Sequence, residues 1–170
     1  MKKIFFLLIF FFNFEITKAE INIAYININY ILNNSIVGQS ITKHISKIQE
    51  TKLKEFETIE KKLAEKEQNI IKKKNIINKD EFNKEVNILK KEVNDYNKIK
   101  KNFNKEIEKK KIEYTQKILK TLNTIISKYV EDNSIQMVFS KKDIIIAKKS
   151  LDITDQVMVL LNNKLVKIDF

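Results

Sequence analysis

From Ile41 to Tyr129 the apolar residues fall in one narrow stripe, and that stripe limits the fold more than any other feature. Its first half is Ile41, Ile45, Ile48, Phe56, Ile59, Leu63, Ile70 and Ile77. Its second is Phe82, Val86, Leu89, Val93, Tyr96, Ile99, Phe103, Ile107, Tyr114, Ile118, Leu122, Ile125 and Tyr129. From Phe56 onward most steps are three, four or seven residues, and Lys and Glu fill the positions between. That is a coiled-coil seam, narrower than the buried face of a globular helix. Pro is absent and Gly38 is the only Gly, so little in the chain interrupts a long helix. Ile, Lys and Asn dominate and every basic residue is Lys. An AT-rich coding bias accounts for that, so the missing Pro and Arg have little functional weight.

The seam loses phase once. A heptad continued from Ile77 would need apolar residues near 81 and 84, where Glu81 and Lys84 stand; the pattern restarts at Phe82. Asn78 followed three residues later by Glu81 is a helix-start signature, and Ile77 with Phe82 is spaced as a hydrophobic staple. Ile77, Asn78, Glu81 and Phe82 therefore predict a fold-back near 75–79, with two antiparallel arms over 41–128.

The chain ends read differently. Residues 21–28 are rich in β-branched and aromatic types and predict a strand. Ile135 to Phe139 and Ile144 to Ala147, separated by Ser140-Lys141-Lys142-Asp143, predict a hairpin. From Asp152, a plausible cap, Ile153, Val157, Leu160 and Leu161 recur at helical spacing and predict a short closing helix. The expected fold class is α+β, mostly α: a long antiparallel coiled-coil hairpin projecting from a small β body. The body is built from 20–40 and 129–170. Three short strands barely make a stable sheet, so their edges need cover or a second subunit.

Lys2 and Lys3, the apolar run Ile4 to Phe12, and Thr17-Lys18-Ala19 form a secretory signal pattern over residues 1–19. The run is too short to span a bilayer. Export out of the cytoplasm sets nucleic acid aside as a partner in vivo. Without Cys, disulfides and lipid attachment through a thiol are excluded. The net charge is +11. Residues 41–128 hold 24 Lys against 14 Asp and Glu, whereas 20–40 and 129–170 together hold 6 Lys against 7 acids. Positive charge is thus confined to the arms, where it attracts anionic partners.

No catalytic or metal constellation is patterned in the sequence, and no cofactor is expected. His44, the only His, lacks convergent partners and reads as an ordinary arm residue. No Gly-rich phosphate loop occurs. Candidate contact residues lie on the arms. Lys72, Lys73, Lys74 and Lys79 sit at the tip, and Lys109, Lys110 and Lys111 lie along the return arm. Ile71, Ile76 and Ile112 fall off the stripe. Most arm lysines read as solvated surface; a basic tip can also touch anionic lipid or steer acidic polypeptides.

The order of parts resembles the Skp/OmpH family of periplasmic chaperones. Ile23-Ala24-Tyr25-Ile26-Asn27 resembles the family's first strand, Ile135-Gln136-Met137-Val138-Phe139-Ser140 its second and Asp143-Ile144-Ile145-Ile146-Ala147 its third. Asp152-Ile153-Thr154-Asp155-Gln156-Val157 resembles the start of its last helix. The resemblance implies a homotrimer whose strands join in one body, with Ile23, Tyr25, Ile135, Met137, Val138, Ile144 and Ile146 as trimerisation residues. It implies an ATP-independent holdase that keeps unfolded outer-membrane proteins in a cavity between the arms. The family is also linked to lipopolysaccharide through a basic surface site, to which no residue here is matched. The rival expectation is an envelope coiled coil that scaffolds or tethers without chaperone activity.

Overall fold

The structure, a computed structural model, describes residues 21–170; the signal pattern at 1–19 lies outside the described residues. Strand β1 (Ile23–Ile26) is followed by helix α1 (Ile28–Asn34), then two long helices, α2 (Ile36–Lys73) and α3 (Lys79–Asp132). Strand β2 (Met137–Ser140) and helix α4 (Thr154–Lys164) close the chain. Helices α2 and α3 form the antiparallel hairpin. At 1.5 Å per residue their 38 and 54 residues run about 57 and 81 Å.

The body is one two-stranded sheet packed on helices. β1 pairs with β2 in parallel, Ile23 opposite Met137 and Ile26 opposite Ser140. Ala24, Ile26 and Val138 face a core shared with Ile31 of α1, Val37 of α2, Ile118, Leu122 and Ile125 of α3, and Val157 and Leu161 of α4. The base of the hairpin is thus part of the body core, and apolar packing runs along it through Ile41, Ile45, Ile107 and Tyr114.

Helix α1 replaces the end of the expected 21–28 strand. The Asn27 side chain accepts from the Tyr30 N–H at 3.0 Å, and this N-cap turns the chain into helix before the apolar run ends. Ser35, fully buried, caps α2 by accepting from the Gly38 N–H at 3.2 Å. α2 therefore begins five residues before 41, and α3 continues four residues past 128. α3 ends in a Schellman motif: Ile135 N–H donates to Val130 O, Ser134 N–H to Glu131 O, and Ser134 takes the left-handed position at φ 51°.

The expected hairpin between 135–139 and 144–147 does not form. A 3₁₀ turn, Lys141–Asp143, follows β2, Ile144 to Ala147 is irregular, and a second 3₁₀ turn, Lys149–Leu151, comes after it. Ile144 is half-buried, while Ile145 and Ile146 are 97% and 89% exposed. The reason is local. Lys141 Nζ bonds Asp152 at 3.2 Å and lies over the Tyr25 ring, pulling the chain back across β1. Asp152, not 144–147, then bridges Tyr25, whose carbonyl accepts from the Ile153 N–H at 3.0 Å. The outer edge of β2 has no partner among the described residues. Ile23, expected inside the body, stands on the sheet's other face beside Met137, and both are exposed.

Gly38 sets the α1–α2 corner. A Cβ there would lie 1.9 Å from the Leu32 carbonyl oxygen and 2.9 Å from its carbon. Both are backbone atoms, so the corner must open to admit one. Gly38→Ala should destabilise the full chain by about 3 kcal/mol in urea titration followed by circular dichroism, despite Ala's better helix propensity. Gln39→Ala on the same turn serves as control, and equal stability of the two variants would refute the close approach.

Candidate functional site: the basic hairpin arm

The tip is a tight connection. Ile76 and Ile77 N–H groups donate to the Lys73 carbonyl at 2.8 and 3.1 Å, and Asn78 caps α3 by accepting from the Glu81 N–H at 2.9 Å. No hydrogen bond returns from the Glu81 side chain to Asn78 N–H, so the cap is one-sided where a reciprocal box was expected. Ile77 and Phe82 are both half-buried beside it. Lys72 and Lys73 occupy the last turn of α2, and Asp80 and Glu81 the first turn of α3, each sign matching its helix dipole. Lys73 also pairs with Glu85 across the hairpin at 2.8 Å. Lys72, Lys74 and Lys79 are exposed and have no ion pair among the described residues.

Farther down, Lys66 holds both oxygens of Glu92 at 2.6 and 2.7 Å. Next comes an aromatic clamp. The Phe56 ring meets Tyr96 and Phe103 edge-on, each at 5.7 Å. The Tyr96 hydroxyl donates to Glu60, which also accepts from Lys100 at 3.1 Å. The hydrogen bonds from Tyr96 and Lys100 hold the Glu60 carboxyl below the usual range. Burial and the bond to Glu60 push the Tyr96 hydroxyl up. The clamp fixes arm register. Between Phe56 and Tyr96, around the tip, no residue is buried. Leu63, Ile70, Val86 and Leu89 are only half-covered, and Ile71, Ile76, Ile88 and Val93 are exposed.

On the return arm, Lys109 and Lys110 are exposed and unpaired among the described residues. Lys111 pairs with Glu108 at 3.1 Å, and Ile112 is 58% exposed. The tip lysines and Lys109–Lys111 are thus separate patches along the arm. His44 stacks on Phe170 at 3.8 Å, with Tyr114 edge-on to both rings. Among the described residues no three His, Cys, Asp or Glu groups converge as for a metal, and no helix is long and apolar enough to cross a membrane.

In the body, Tyr25 is buried and Ile135 and Val138 are half-buried against the core. Ile23, Met137, Phe139 and Ile146 are exposed, and Ile144 is half-buried. A polar knot ties the ends of this sheet. Thr154 donates to Asp152 from its hydroxyl and, at 3.0 Å, from its backbone N–H, and accepts from Asn27 N–H at 2.9 Å. Asp152 thus lies two residues before the start of the helix proper, bonding Thr154 rather than acting as the N-cap itself. Burial pushes its carboxyl up, but the bonds from Thr154 and Lys141 outweigh that and hold it below the usual range. Sequence alone did not reveal the clamp or the knot, because both join residues far apart in the chain.

A basic two-helix arm on a small two-stranded parallel sheet defines an α+β helical-hairpin protein. The profile of the outer membrane protein (OmpH-like) family matches residues 22–161, and the chain belongs to that family. Among solved structures it is similar to a protein from Caulobacter crescentus described as an outer membrane chaperone (OmpH-like). Identity is 18%, with 88% of each chain covered and a TM-score of 0.78. No curated protein sequence matches the chain.

A depressed Asp152 contributes stability that is present above its unfolded pKa, about 3.9, and lost as pH falls through its folded value. Asp152→Asn should therefore cost about 2 kcal/mol at pH 7, the usual weight of hydrogen bonds to a charged group. The gap to the natural chain should narrow steadily below about pH 4. Urea titrations at pH 7 and pH 3 test this; a gap of equal size at both would show that the charge on Asp152 is immaterial.

Proposed function

We propose that this chain is an ATP-independent periplasmic holdase that works as a homotrimer and keeps unfolded outer-membrane proteins from aggregating between its arms. Family membership and the chaperone description of the Caulobacter protein support the chaperone role. The observation that carries the reading is the distal arm. Two helices extend beyond Phe56 and Tyr96 with no buried residue, leaving half-covered apolar side chains and lysines to solvent. A surface of that kind offers many weak contacts to a disordered chain, and release needs no fuel.

The sheet supports assembly. A parallel sheet is ordinarily covered on both faces. Here the outward face presents Ile23, Met137 and Phe139, the β2 edge is open, and Ile145 and Ile146 stand in solvent beside it. These groups suit strands and apolar cover from further copies. The signal pattern and family membership support a periplasmic location for the assembly, and its basic tips suit anionic lipid or lipopolysaccharide at the membrane surface.

The purified chain should suppress aggregation of a denatured β-barrel protein, followed by light scattering. No suppression at any ratio would favour the scaffold reading. Replacing Lys72, Lys73, Lys74 and Lys79 with Glu lowers the charge of 41–128 from +10 to +2. Stopped-flow association should slow at low salt and converge with the natural chain at high salt, since attraction is screened beyond about 10 Å at 0.1 M. Unchanged rates at both salts, with helicity intact, would remove the tip from client capture.

For assembly, Ile145→Asp should leave the helicity of a single chain unaltered, because that side chain touches little. It should shift sedimentation toward the monomer. A trimer of undiminished stability would exclude 144–147 from the interface.

A further inference from the structure

Helix α3 carries a second surface, remote from the tip and facing away from α2. Lys101, Lys105 and Lys109 follow one another at four-residue steps. All three are exposed, and none has an ion pair among the described residues. Their neighbours Lys100 and Lys111 are already engaged, with Glu60 and Glu108. Asn97, Lys100, Asn104, Glu108 and Ile112 complete a wide-open, shallow trough of about 800 Å³ lined by α3 alone, in which Lys111 offsets the one carboxylate, Glu108. Neither Asn side chain makes a hydrogen bond among the described residues.

The spacing suggests the ligand. Four helical residues rise about 6 Å. Alternate residues of an extended chain, which share one side, are about 6.6 Å apart. Three lysines therefore stay in step with three carboxylates placed at every second position, the small mismatch being well within the reach of a Lys side chain. Asn amides donate and accept, so they suit the main chain of a polypeptide, whereas a bare phosphate surface would use only the donors. Exposed Ile112 at the trough's end suits an apolar side chain of the same segment.

We propose that the outward face of α3 from Asn97 to Ile112 is a rail for extended polypeptide segments with Asp or Glu at every second position. The proposal rests on the holdase reading, for which it names a preferred feature of the client. An alternating acidic strand of a future β-sheet has this form before it folds.

Two unstructured peptides of equal length and charge test it by fluorescence anisotropy with the full chain, one acidic at every second residue and one at every third. Three exposed ion pairs in register sum to about a tenfold preference for the first. Lys101→Glu, Lys105→Glu and Lys109→Glu combined should abolish the preference. The same charge change at Lys54, Lys61 and Lys84 should weaken both peptides alike and leave the preference intact. Equal binding of the two peptides would overturn the rail, as would a preference that survives the triple variant. Loss of binding to anionic phospholipid vesicles in that variant, without loss of peptide preference, would assign the stripe to lipid and also overturn it. Aggregation suppression of a neutral unfolded protein, measured alongside, reports on the holdase reading itself. Suppression that persists when the peptide preference is absent removes only the rail.

Discussion

The parallel pairing of β1 with β2 is the constraint from which the rest of the structure follows. Parallel strands cannot be joined by a tight turn; the chain must travel back before the second strand begins. Here the return journey, residues 27–136, holds the candidate functional site. The arms also inherit their unequal lengths from it. α3 is longer than α2 by about 24 Å of helical rise, close to the combined run of β1 and α1 on the outgoing side. The returning helix covers in one element what the outgoing chain covers in three. Its last turns then serve as wall of the body core, where Leu122 and Ile125 meet α4.

Features set by near neighbours could be read from the sequence. The seam repeats every three or four residues, and its break at Ile77 to Phe82 coincides with a cap, so the hairpin and its tip followed from local pattern. The order of the body was read from apolar patterns at the chain ends, and the family resemblance followed from that order. Helix α1 was missed because Ile28 to Leu32 extends an apolar, β-branched run. The available signal was Asn27 as a cap for Tyr30, with Ser35 before the next helix. The strand expected at 144–147 failed for a different reason. Its three consecutive Ile residues have strand character, but a strand needs a neighbour, and Asp152 occupies the place beside Tyr25. Gly38 was legible only as the chain's one Gly, since its contact with the Leu32 carbonyl exists only once α1 is known.

The arm divides into two mechanical regimes. Below the aromatic clamp the seam is buried and continuous with the body core, so Ile107, Tyr114 and Ile118 anchor it. Above the clamp, two ion pairs and half-covered Ile, Leu and Val side chains join the helices. Exposed ion pairs contribute little each, about 1 kcal/mol at most. The distal half therefore combines weak cohesion with a large accessible surface, in a part of the chain whose loosening leaves the sheet untouched. In the proposed holdase the buried base would aim the arm and the outer half would adapt to its client.

Charge segregation bears on how the proposed holdase would respond to a client. Residues 41–128 carry a net +10 while the body is close to neutral. In the proposed trimer, three such arms repel one another, over a range of about 8 Å at physiological salt. Repulsion of so short a range acts only where arms come close, so it would oppose the collapse of empty arms onto one another without spanning a wide cavity. An acidic unfolded chain between the arms would neutralise part of the positive charge and draw them toward itself. Such closure would need no nucleotide, because its free energy would come from the attraction between client and arms. A neutral chain would lack that attraction and would depend on the half-exposed seam residues alone for its retention.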